Sequence, residues 1–127
     1  MKIGDLARAG SVGVETVRYY QRRGLLDEPP RADGVRRYGS DDARRLRFIR
    51  SAQSAGFTLD EIGELLALDA TDDRARAREL AANRIGKLDD EIARLKAARQ
   101  ALTKLASDCE AGNAGPCPII SAFEPNG

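Results

Sequence analysis

The stretch from about Asp72 to Ser107 constrains this chain more than any other feature. It is built mainly from Ala, Arg, Leu, Asp and Glu, with no proline and no cluster of β-branched residues, and so predicts one long helix. Ile85, Leu88, Ile92 and Leu95 follow the 3-4-3 spacing of a coiled-coil seam, Arg99 interrupts it, and Leu102 continues it. A helix of about 35 residues spans about 50 Å. The residues before it offer too little surface to bury such a stripe, so the seam calls for a partner helix and predicts a homodimer. The alternative is a helix folded back on its own domain.

The chain has 127 residues, 42% hydrophobic and 32% charged, which fits one compact domain plus an appendage. No apolar run approaches the roughly 18 residues of a membrane helix, and the opening MKIGDLARAG lacks the apolar stretch of a secretory signal. A cytoplasmic protein with no membrane partner is expected. Histidine is absent, which excludes His-dependent nucleophilic catalysis and imidazole-bound zinc. An enzyme is not expected. The two cysteines, Cys109 and Cys117, are too few for a four-thiolate zinc within one chain, and in a reducing cytosol they should be free thiols or metal ligands.

The net charge of +1 hides a division: residues 1–57 carry 12 Lys+Arg against 7 Asp+Glu, and residues 58–127 carry 9 against 13. The basic end is the candidate for a polyanion. There, Ile3, Leu6 and Ala7 share a helical face, Gly10-Ser11-Val12-Gly13 breaks the pattern, and Val14, Val17 and Tyr20 or Gln21 resume it until Gly24. Two prolines then preclude helix, and Asp33-Gly34 predicts a hairpin turn between short strands. Ser40 is expected to cap a helix running to about Ala55. Thr58 with Glu61 forms a capping box for the next, whose apolar face is Ile62, Leu65, Leu66 and Leu68.

Two short helices, a glycine-containing turn and a basic hairpin make a winged helix-turn-helix, whose second helix enters the major groove. Arg18, on the outer side of Val14–Arg23, can donate to guanine or phosphate, and Tyr19 or Tyr20 can offer a phenol to the backbone. On the hairpin, Arg36, Arg37 and Tyr38 suit phosphate and minor-groove contact. Singly, each could be a surface arginine or a half-buried core tyrosine; their joint arrangement favours double-stranded DNA.

The runs Val14-Glu15-Thr16-Val17-Arg18-Tyr19-Tyr20-Gln21-Arg22-Arg23-Gly24-Leu25-Leu26, Arg36-Arg37-Tyr38-Gly39 and Arg47–Ile62, with the terminal Cys-loop-Cys-Pro-Ile-Ile, closely resemble the mercury-resistance regulator (MerR) family. The resemblance implies a mainly α chain: a winged helix-turn-helix domain (1–70), a dimerisation helix pairing antiparallel with its partner (71–108), and a metal-binding loop and tail (109–127). It also implies DNA contacts at Arg18, Tyr19, Arg36 and Tyr38. The homodimer would sit on an over-long promoter spacer and, when metal binds, distort the DNA so that RNA polymerase can use it.

The cysteines lie in Cys109-Glu110-Ala111-Gly112-Asn113-Ala114-Gly115-Pro116-Cys117, where glycine, asparagine and proline let the chain double back. Two thiolates without imidazole suit a thiophilic ion that accepts linear coordination: copper(I), silver(I), gold(I) or mercury(II). The rival reading is a thiol redox-responsive protein. The resemblance adds that sensors of divalent ions, mercury included, carry a cysteine at the start of the long helix, contributed by the other subunit, whereas monovalent-metal sensors carry serine. Here that stretch is Asp72-Asp73-Arg74-Ala75-Arg76. With a +1 ion, two thiolates keep a net negative charge that Arg74 could stabilise as a selectivity residue. The expectation therefore puts copper(I), silver(I) or gold(I) first and mercury(II) next.

Overall fold

The computed structural model describes residues 1–112 and 115–123, and the chain divides into two units, Met1–Arg84 and Ile85–Gly127. In the first unit, α1 (Ile3–Ala9) and α2 (Val14–Arg22) precede a two-stranded antiparallel hairpin, β1 (Arg31–Ala32) and β2 (Val35–Arg36). Helices α3 (Ser40–Ser54) and α4 (Leu59–Leu68) follow, and then α5 (Arg74–Ala111), which begins here and continues into the second unit. The helix-turn-helix and its wing are therefore present.

Leu6, Val17, Leu46, Ile49 and Ile62, one or more from each of α1 to α4, are fully buried and form the centre of the core. At about 25 cal/mol per Å² of apolar surface, each such side chain contributes about 1.5–3 kcal/mol. The turn between α1 and α2 depends on close packing. A Cβ on Gly10 would collide with the Leu46 side chain, and the left-handed residue of the turn is Ser11 (φ 56°), not a glycine. Gly24 (φ 74°) ends α2: its N–H donates to Gln21 O at 3.0 Å, while Leu25 N–H donates to Tyr20 O at 2.9 Å, leaving Leu25 buried in the core. Asp33 (φ 53°) and Gly34 (φ 78°) supply the two positive φ angles that a tight hairpin turn requires, setting Arg31 opposite Arg36 and Ala32 opposite Val35.

Two boundaries differ from expectation. Gly39, not Ser40, is the N-cap of α3, because the Asp42 carboxylate accepts the Gly39 N–H at 2.8 Å. Thr58 caps α4 as expected: its hydroxyl accepts from Glu61 N–H at 3.1 Å, and Glu61 accepts the Thr58 N–H at 2.9 Å. The long helix starts at Arg74, after Asp73 Oδ1 accepts the Arg76 N–H at 3.2 Å, and it continues to Ala111. Cys109 is therefore inside the helix and not beyond it.

Three contacts set the start of α5 within the first unit. The Arg76 guanidinium pairs with both carboxylate oxygens of Glu64 on α4, Leu80 is buried, and Arg84 Nη1 donates to Gly56 O at 2.6 Å. In the second unit the seam behaves differently. Ile85, Ile92, Leu95 and Leu102 are 57%, 49%, 50% and 43% exposed and Leu88 is half-buried, so among the described residues most of the heptad stripe is left uncovered. Helix α6 (Pro118–Phe123) leaves Ile120 and Phe123 exposed as well. Among the described residues, no helix is long and apolar enough to cross a membrane.

Candidate nucleic-acid interface and metal centre

Helix α2 splits its residues by period. Val17 and Tyr20 face the core, and Tyr20 donates from its hydroxyl to Gln53 Oε1 on α3. That settles the choice between neighbouring tyrosines: Tyr20 is a core anchor, and Tyr19, 40% exposed, is on the outer face. The Arg22 and Arg23 guanidiniums lie 5.9 and 6.0 Å from the Tyr19 ring centroid. Arg23 also donates to the Tyr19 hydroxyl at 3.2 Å and pairs with Asp60 at 3.1 Å. Arg18 is outward with its side chain 53% exposed, paired with Glu15 one turn back at 2.6 Å. An exposed pair of this kind is worth little in water, so Arg18 can be released to a stronger acceptor at small cost.

On the wing, Arg37 is exposed, while Arg36 is half-buried and pairs with Glu28 at 3.0 Å. Arg36 Nε is buried and has no hydrogen-bond partner among the described residues. Tyr38 differs from its expected place on the surface: it is buried, and its hydroxyl accepts from Gln21 Nε2 of α2 at 2.8 Å. Its backbone N–H donates to Met1 O at 2.7 Å, so the end of the wing is held against the first residues.

Between α2 and the wing lies a cleft of about 530 Å³ lined by Lys2, Arg18, Arg22, Arg31 and Arg36, with Glu28 as its acidic member and Gln21 and Tyr38 on its wall. Five cations against one carboxylate give it a positive field that suits phosphate. Lys2, Arg22 and Arg31 were not singled out from sequence. Arg22 follows Arg18 by one helical turn, and Arg31 is the cross-strand partner of Arg36 once the Asp33-Gly34 turn sets the register, so both could have been found. Lys2 reaches the cleft only through the tertiary fold.

In the second unit, Cys109 occupies the last turn of α5 and Cys117 immediately precedes α6. Their sulfurs are 3.3 Å apart, and both residues are half-buried. Gly115 (φ 96°) provides a left-handed bend between them; Asn113 and Ala114 of the expected loop, and the tail 124–127, lie outside the described residues. The Ile120 N–H, then the Cys109 thiol and the Ile119 N–H, hold the Cys117 thiol below its ordinary pKa. Its neighbour, principally through the same hydrogen bond, pushes Cys109 up. The two thiols therefore titrate as one coupled pair.

Among the described residues, no cluster of three or more His, Cys, Asp or Glu side chains is placed to hold an ion. The two thiols are a donor set for a soft ion of low coordination number. With metal–sulfur bonds of about 2.3 Å, a linear site needs sulfurs about 4.6 Å apart, so the pair must open by about 1.3 Å. Arg74, the first residue of α5, is exposed and belongs to the other unit.

The chain matches the profile of the MerR HTH family regulatory proteins over residues 1–69, and a second profile, MerR DNA binding, over residues 43–105. It is 42% identical to the mercuric resistance operon regulatory protein of Serratia marcescens, covering 98% of this chain and 88% of that protein. It is 35% identical to heavy metal-dependent transcription regulator 2 of Rhizobium meliloti, covering 94% and 84%. The crystal structure of the transcription regulator PbrR691 from Ralstonia metallidurans in complex with lead(II) superimposes with a TM-score of 0.74 at 32% identity, covering 98% of this chain and 99% of that one. With its helix-turn-helix, wing and long helix in this order, the chain is a DNA-binding transcription regulator, not an enzyme, and belongs to the MerR family.

Proposed function

We propose that this protein is a promoter-bound regulator that responds to a thiophilic metal ion through Cys109 and Cys117. The observation that carries the reading is the pair of sulfurs meeting at 3.3 Å where the long helix ends. Arg18 and Tyr19 of α2 and Arg36 and Arg37 of the wing contact double-stranded DNA, Arg18 reading base edges and the others fixing register on phosphate. Tyr38 supports them by tying the wing to α2 through Gln21. The division of labour follows residues 1–70 for DNA, 71–108 for dimerisation and 109–127 for the metal. The working form is a cytoplasmic homodimer, joined along Ile85, Leu88, Ile92, Leu95 and Leu102, acting with RNA polymerase on the promoter.

The likeness to the mercuric resistance regulator favours mercury(II), the second choice from sequence, over copper(I). Mercury(II) accepts two thiolates in a line, and this chain supplies two. Copper(I), silver(I) or gold(I) is the second reading, favoured by the absence of a third cysteine and by Arg74 where a divalent-ion sensor would carry one. A bound ion supplies a cross-link between the end of α5 and the start of α6. For that to act as a switch, the thiolates must hold the ion more tightly in the activating conformation; a difference of a few kcal/mol suffices.

Promoter output from purified protein, measured against buffered free mercury(II) and copper(I), tests the reading. A response to mercury(II) at the lower free concentration supports mercury, and the reverse order supports the monovalent reading. Arg74→Cys is expected to add a partner-subunit thiolate and shift the response further toward divalent ions; an unchanged order of metals would remove Arg74 from the selectivity site.

A further inference from the structure

The 3.3 Å separation of Cys109 and Cys117 stands between two covalent outcomes. A disulfide needs about 2.05 Å, and a linear dithiolate site needs about 4.6 Å. Either is reached by a movement of about 1.3 Å, within the reach of side-chain rotation about χ1 of the two cysteines. Both cysteines are free and half-buried, so a small reactant can reach either sulfur while the other is already in contact with it. Among the described residues no third ligating side chain keeps the pair apart.

We propose that Cys109 and Cys117 are also an oxidation site for a low-molecular-weight disulfide, and that the resulting intrachain bond makes the regulator unresponsive to metal. The second half rests on the metal reading above; the first does not. One thiolate attacks a sulfur of the disulfide RSSR, forming a protein–S–S–R bond and releasing RS⁻. The other thiolate then attacks the protein sulfur of that mixed disulfide, closing the Cys109–Cys117 bond and expelling the second RS⁻. The two cysteines lose two electrons and two protons, and RSSR is reduced to two RSH. The second step is intramolecular between groups already touching, so it outruns attack by another chain. Of the forms of cysteine, the thiolate is the metal ligand, and the disulfide has none to offer.

The test uses the reduced full-length protein with glutathione disulfide as the oxidant. Intact mass under non-reducing conditions is expected to show the loss of two hydrogens without a retained glutathione adduct, and thiol titration the loss of both thiols. Stoichiometric uptake of mercury(II) or copper(I), read by thiolate-to-metal charge-transfer absorbance, is expected to vanish and to return on reduction. Cys109→Ser is expected to stop at the glutathione adduct on Cys117. A wild-type chain that keeps both thiols under excess oxidant, holds the adduct, or links to a second chain would overturn the oxidation site. An oxidised chain that still takes up metal would overturn the block. Disulfide formation in a chain whose reduced form takes no metal would sink the metal reading and leave the oxidation site standing.

Discussion

Arg18 and Arg37 are both arginines on the basic half of the chain, yet their surroundings assign them different work. Arg18 leaves the outer face of α2 paired with an exposed Glu15, whereas Arg37 extends from the wing. Arg18→Ala is therefore expected to weaken operator binding by about 1–3 kcal/mol and relax base preference, while Arg37→Ala weakens all DNA alike and lowers the salt slope by about one unit. Binding isotherms on specific and unrelated duplexes at several salt concentrations check both. Equal affinity of wild type and Arg18→Ala would remove α2 from base reading. Periodicity could place Tyr20 with Val14 and Val17 on the inner face of α2 and Arg18 off that face, because it depends only on the helix repeat. It could not bury Tyr38, since that outcome depends on Gln21, a residue distant in sequence.

At the scale of elements, the start of α5 is locked to α4 and to the turn before it by two arginines. A Cβ on Gly56 (φ 94°) would come to 3.0 Å from the Arg84 guanidinium, which itself donates to the Gly56 carbonyl in the turn between α3 and α4. Gly56→Ala combines a left-handed backbone with a crowded neighbour and is expected to destabilise the fold by about 1–3 kcal/mol, measured by urea unfolding. An unchanged midpoint would show that the turn relaxes freely. The Arg76 hydrogen bonds hold Glu64 below its ordinary pKa of 4.5. A carboxylate depressed by folding stabilises above its unfolded pKa, and that contribution fades as pH falls through the folded value. The stability difference between wild type and Glu64→Gln is thus expected to be largest near neutrality and to shrink below about pH 4.5; a difference constant with pH would mean the pair is not coupled to folding. Local chemistry made most elements legible, including the Asp33-Gly34 turn and the Thr58 box. Boundaries that depend on a carboxylate's choice of N–H were not: Asp42 moved one cap to Gly39, and the helix carried on through Cys109.

For the whole molecule, the exposed seam gives a direct expectation. Leu88→Asp with Leu95→Asp would place carboxylates in the proposed dimer seam, where burial of an unpaired charge costs several kcal/mol. Sedimentation is expected to show monomers that bind an operator poorly; a persistent dimer would refute the seam. The measurement that bears most directly on the account is transcription from a promoter fragment selected by the purified protein, followed against buffered free mercury(II) and copper(I) for wild type and Cys117→Ser. Wild type is expected to activate with one of these ions. Cys117→Ser is expected to bind the same fragment equally well yet stay inactive, because a hydroxyl does not replace a thiolate on a soft ion. Activation of Cys117→Ser at the wild-type metal concentration, or a DNA-bound wild type that answers neither ion, would contradict it.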